Sequence, residues 1–93
     1  MRESEFEKKF VREIKKRGAL TYKWTSPGCT GVPDRIVIWS PGVVEFVELK
    51  SPGRINGLSK RQQAVLAQIT THGGTVHVID SEEALRRYLD RAV

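Results

Sequence analysis

Asp34, then a gap of 13 residues, then Glu48 and Lys50 two positions apart are the residues here best suited to chemistry. Asp34 opens Asp34-Arg35-Ile36-Val37-Ile38-Trp39, which reads as a β-strand. Ser40-Pro41-Gly42 turns the chain into a second strand that runs from Val44 to Lys50. Side chains of an extended chain alternate faces, so Val44, Phe46, Glu48 and Lys50 share one face, and Glu45, Val47 and Leu49 the other. A Glu and a Lys at the end of an apolar strand are costly to bury without partners. A metal ion offsets that cost. Asp34 and Glu48 can supply hard oxygen ligands for Mg²⁺, with water and substrate phosphate filling the remaining positions. Lys50 then neutralises charge or orients an attacking water. This is an arrangement for metal-assisted phosphodiester hydrolysis.

These residues need elements to hold them. Phe6, Phe10, Val11 and Ile14 form an apolar stripe of helical period, which predicts a helix over 3–17 ending at Gly18. Lys8, Lys9, Arg12, Lys15 and Lys16 occupy its opposite face. Glu3 and Glu7 fall inside the angular range of the apolar stripe. Either they are solvated at its edge, or the helix offers a carboxylate to the metal site. Leu20-Thr21-Tyr22-Lys23-Trp24-Thr25 reads as a strand, with Tyr22, Trp24 and Trp39 better suited to core or interface packing than to base stacking. The turn-rich Ser26–Gly31 loop either brings backbone amides near a phosphate or simply connects strands.

Ser59 is a good N-cap for a helix over 59–72. Gln62, Val65, Leu66 and Ile69 lie at i, i+3, i+4 and i+7, which puts Gln62 on the buried side of the first turn, within reach of Lys50. Gly73-Gly74 stops this helix, Thr75–Ile79 forms a last strand, and Ser81 caps a final helix over 82–91. His72 and His77 read as structural or exposed, with no partner for general-base or zinc work. The order is α-β-β-β-α-β-α. Short connections make the first three strands antiparallel, and the helical crossover allows a parallel fourth. The fold class is therefore α/β: a mixed central sheet flanked by helices.

Composition bounds the partners. A chain of 93 residues predicts one domain over 1–93, small enough that dimerisation would help stabilise it. The net charge of +5 and pI near 9.7 favour an anionic partner. From Lys50 to Arg61 there is no acidic residue, while Arg54, Lys60 and Arg61 are basic. That stretch is either a solvated charge run or a contact for a phosphate backbone, and Arg35 joins it as a nucleic-acid-binding candidate. The lone Cys29 excludes an intrachain disulfide and fits a reducing compartment. No apolar run approaches the ~20 residues of a membrane span.

Pro33-Asp34 and Glu48-Leu49-Lys50 resemble the PD-(D/E)xK nuclease motif. Together with Gly31-Val32-Pro33-Asp34-Arg35, Glu48 to Gly53 and Leu58-Ser59-x-x-Gln62, they resemble the VRR-NUC family, from Glu3 to about Tyr88. The resemblance implies a restriction-endonuclease-like core and a Mg²⁺-dependent endonuclease acting on DNA, with Mn²⁺ as a substitute. It implies metal ligation by Asp34, Glu48 and the backbone carbonyl of Leu49. Glu7, eleven residues before Gly18, matches the helix-1 Glu of related junction resolvases better than Glu3 does. Lys50 would be catalytic and Gln62 supporting. Stand-alone members of this length imply a homodimer acting on branched DNA such as four-way junctions, in the cytoplasm of a bacterial or phage-infected cell. The alternative readings are a nucleic-acid-binding module without catalysis and a protein-interaction domain of a replication or repair assembly.

Overall fold

A computed structural model describes residues 2–51 and 57–91. Arg54 therefore lies outside the described residues. The elements run α1 (Glu3–Lys16), β1 (Leu20–Lys23), β2 (Arg35–Trp39), β3 (Val43–Leu49), α2 (Lys60–Thr71), β4 (Thr75–Ile79) and α3 (Glu82–Leu89). One four-stranded sheet has the order β1-β2-β3-β4. The first two pairings are antiparallel, and β3 pairs parallel with β4 after the α2 crossover. This is the predicted mixed sheet flanked by helices. Among the described residues no helix is long and apolar enough to cross a membrane.

The stripe of α1 buries Phe6, Phe10 and Ile14 completely. They pack with Leu85 and Tyr88 of α3 onto the sheet face that carries Val37, Trp39, Val47, Leu49 and Ile79. α2 crosses the other face, where it buries Val65 and Leu66. Trp24 packs against Phe46 on that face at 5.4 Å between ring centroids. The helix caps follow the sequence: the Ser59 hydroxyl accepts from Gln62 N, and the Ser81 hydroxyl accepts from Ala84 N.

β1 departs from a simple amphipathic reading. Thr21 is buried beneath α1, whereas Leu20 and Tyr22 are 52% and 56% exposed. In register they lie beside Ile38 and Ile36, whose own partners are Val44 and Phe46. The apolar side of this edge strand therefore faces outward on the α2 face, beyond the reach of α2. Tyr22 does not join the core, while Trp39 does.

A second departure lies within β3. Glu45 shares the face of Val47 and Leu49 and is only 3% exposed. Trp39 Nε1 donates to it at 2.8 Å, Tyr88 OH at 2.7 Å, and Arg91 Nη1 and Nη2 at 2.7 and 2.8 Å. His77 Nε2 lies 3.1 Å away, which gives His77 a structural place beside a carboxylate. The pairing requires β4 and β3 to lie side by side, which local sequence does not reveal. Burial alone would push the Glu45 carboxyl up, but the hydrogen bonds from Arg91, Tyr88, Trp39 and His77 outweigh it and hold the group at about 2.

Candidate active site

The N-terminal end of β2 and the C-terminal end of β3 lie together, because the strands are antiparallel with Arg35 opposite Val47. Asp34, just before β2, accepts a hydrogen bond on Oδ2 from Leu49 N at 2.9 Å. Its carboxylate is thereby pinned beside the Glu48-Leu49-Lys50 segment. Glu48 and Lys50 emerge on the α2 face, as strand alternation requires. Gln62 meets them from the first turn of α2. Gln62 Nε2 donates to Glu48 Oε2 at 2.9 Å, and Gln62 Oε1 accepts from Lys50 Nζ at 3.2 Å. The same Oε1 accepts from Ser59 N at 2.9 Å, completing a capping box. Lys50 Nζ also stands 3.4 Å from Glu48 Oε2. The structure thus brings Asp34, Glu48, Lys50 and Gln62 to one end of the sheet.

Glu7 reaches the same end from α1 and has its own partner. Arg35 Nε and Nη2 both lie 2.9 Å from Glu7 Oε2. In sequence the two residues point to separate roles, Glu7 to a metal and Arg35 to nucleic acid. They form a pair with side chains 15% and 25% exposed, for Arg35 and Glu7 respectively. Glu7 nonetheless acts on Asp34 through space. Burial pushes the Asp34 carboxyl above its ordinary range, the Leu49 hydrogen bond opposes this, and the charges of Glu7 and Glu3 add to the rise.

Arg61 and Lys60 are exposed at the start of α2. Arg61 Nε donates to Thr30 O at 3.2 Å, which ties the loop before β2 to α2. Gly31 makes this approach possible. It has φ 89°, and a Cβ there would lie 3.0–3.2 Å from Arg61 atoms, backbone included. The glycine of the motif therefore sets how closely the loop before β2 approaches the first turn of α2. Arg61 combines that structural contact with its exposed position.

Glu48 is the most perturbed group of the site. It is 3% exposed. Burial, then the charge of Asp34, push its carboxyl up to about 7, although Lys50 opposes the rise. One ammonium does not balance two crowded carboxylates, so the donor set fits a hard divalent cation. Mg²⁺ needs one or two carboxylates, with water and phosphate oxygens completing its octahedron. Among the described residues no group of three or more His, Cys, Asp or Glu side chains could hold a metal ion. The Glu7 carboxylate is engaged by Arg35.

The shift of Glu48 has a testable sign. A carboxyl raised from 4.5 to about 7 on folding stabilises the fold in its protonated form. That contribution is complete below the ordinary carboxylate value and is lost as pH rises through about 7. Metal-free protein should lose on the order of 3 kcal/mol from this group between about pH 5 and about pH 8. Thermal melts across that range check it. The Glu48→Gln variant should show a smaller decline, and Mg²⁺ should raise the melting temperature of the wild type at the alkaline end but not that of the variant. Equal declines in both proteins would place the titration elsewhere.

The fold and this end of the sheet define a nuclease domain: the VRR-NUC domain model matches residues 2–83, and the chain belongs to that family. A particular relative is the "Putative nuclease p44" of Acyrthosiphon pisum secondary endosymbiont phage 1. It is 40% identical over 84 residues, covering 89% of this chain and 87% of the relative. A solved structure described as a VRR_NUC domain superposes with a TM-score of 0.88 at 24% identity, covering 98% of this chain and 97% of that one. At that identity the likeness establishes the fold.

Proposed function

We propose that the protein is a metal-dependent endonuclease that hydrolyses DNA phosphodiester bonds, with branched DNA such as four-way junctions as its preferred substrate. The observation that carries this reading is the hydrogen-bonded set at the end of β3: Gln62 joins Glu48 to Lys50, and Asp34 is tied to Leu49 N. Asp34 and Glu48, with the Leu49 carbonyl, would hold Mg²⁺ or Mn²⁺. When bound, the ion polarises the scissile phosphate and lowers the pKa of water. Lys50 places a positive charge beside Glu48, where it orients the nucleophile or stabilises charge developing on phosphate. Gln62 fixes that ammonium. Glu7, held by Arg35, acts on the site through its charge on Asp34.

A homodimer accompanies this reading. Leu20, Tyr22 and Val44 leave an apolar face exposed on the sheet, and a second copy would cover it. Two copies related by a twofold axis would present two sites to two strands.

Cleavage of four-way-junction, flap and duplex DNA, each with Mg²⁺, Mn²⁺ or EDTA, tests the assignment. Metal-dependent cutting that is strongest on the junction is the expected result. DNA binding by folded protein with no cutting of any substrate would favour a binding module instead.

A further inference from the structure

The basic face of α1 is divided by its surroundings. On one flank Lys9 pairs with Glu82, Arg17 donates to Glu13 Oε1 at 2.8 Å, and acidic and basic side chains alternate in the cleft against α3. On the other flank Lys8, Arg12 and Lys15 line a groove with Lys23 of β1, closed at one end by the Glu7–Arg35 pair. Lys8, Arg12 and Lys15 recur at i, i+4 and i+7, so they form one row along the helix. Lys23 is the register partner of Arg35 and brings a fourth cation to the same end of the sheet. All four are exposed, and among the described residues none forms an ion pair. The carboxylate that lines the groove, Glu7, is already neutralised by Arg35.

Unpaired cations in a row are mutually repulsive, and among the described residues no carboxylate pairs with them. An anion of matching spacing would. Lys8 to Lys15 spans ~10 Å of helix, at 1.5 Å per residue. That is about three nucleotide steps of ~3.4 Å along a duplex. We propose that the groove between α1 and β1 is a second phosphate-backbone track, which carries the strand leading away from the cleavage site past Lys23, Lys8, Arg12 and Lys15. This rests on the nuclease reading and extends its footprint to a side of the molecule separate from the Lys60–Arg61 end of α2.

The test compares two triple variants of equal charge by fluorescence anisotropy, using labelled four-way-junction and duplex DNA with Ca²⁺ in place of Mg²⁺. Lys8→Ala/Arg12→Ala/Lys15→Ala removes the row, and Lys9→Ala/Arg17→Ala/Arg86→Ala removes cations from the cleft on the other flank. Thermal melts establish that both are folded. The first should weaken binding roughly tenfold to a hundredfold and make the slope of log K against log salt shallower by about 3. The second should change each much less. Equal affinity and slope for the first variant and the wild type, with the wild type binding and cutting DNA, would overturn the track and leave the nuclease assignment standing. Equal losses in both variants would also overturn it, because net charge alone would then explain binding. If the wild type neither binds nor cuts DNA, the nuclease reading falls and takes the track with it.

Discussion

Lys50→Ala is expected to slow phosphodiester cleavage about a thousandfold, the scale on which removing one charge-stabilising donor acts. The residue donates to Gln62 Oε1 and faces Glu48 Oε2, and both partners survive its loss. Glu48 keeps the Gln62 Nε2 hydrogen bond and can take up a proton, since its carboxyl already titrates at about 7. The fold should therefore tolerate the substitution, with a small decrease in melting temperature, and DNA affinity should persist. Single-turnover rates, melting and binding measured on one preparation check all three. A folded variant that cuts at the wild-type rate would remove Lys50 from the chemistry and with it the central element of the proposed site.

The second large effect concerns stability. Glu45→Ala should cost on the order of 3 kcal/mol, the upper range for leaving a buried donor without its acceptor. It leaves the Tyr88 hydroxyl, in a residue only 4% exposed, without its acceptor, while Trp39 Nε1 keeps only the longer bond to Tyr88 OH at 3.3 Å. Glu45→Gln should cost less, because an amide oxygen still accepts. For a domain whose total stability lies between about 5 and 15 kcal/mol, the Ala variant would lose a large share of it. Since the carboxyl is held at about 2 against an ordinary 4.5, its contribution is complete above 4.5 and is lost as pH falls toward about 2. Urea denaturation of both variants near neutral pH measures the effect. A cost below about 1 kcal/mol for Glu45→Ala would mean that the network is effectively solvated.

The sequence carried most of what is local. The stripe of α1, the Ser59 and Ser81 caps, the limits of β4 and the alternation that puts Glu48 beside Lys50 all depend on neighbours within a few residues. The α2 face of the site was legible for the same reason, since Gln62 follows its own cap. Long-range pairings were not. Glu45 looked like one more polar residue on a strand, and its partners lie up to 46 residues away. Glu7 and Arg35, 28 positions apart, each invited a separate assignment, and the pairing becomes visible only when α1 is laid across β2. β1 was misleading in another way. The side of the strand beneath α1 holds Thr21, while Leu20 and Tyr22 face outward.

Gln62 stands where three demands meet: a helix start that needs an acceptor, a carboxylate that needs a donor and an ammonium that needs an acceptor. A glutamate there would start the helix equally well, since the capping box accepts either residue, but it would set a third negative charge against Glu48. An asparagine carries the same amide on a side chain one methylene shorter. Of the twenty side chains, Gln alone offers a donor and an acceptor on a fixed planar head at this reach. The first turn of α2 is therefore the latch of the site: whatever frays it releases Lys50, and whatever occupies Glu48 and Lys50 together tightens the helix behind them.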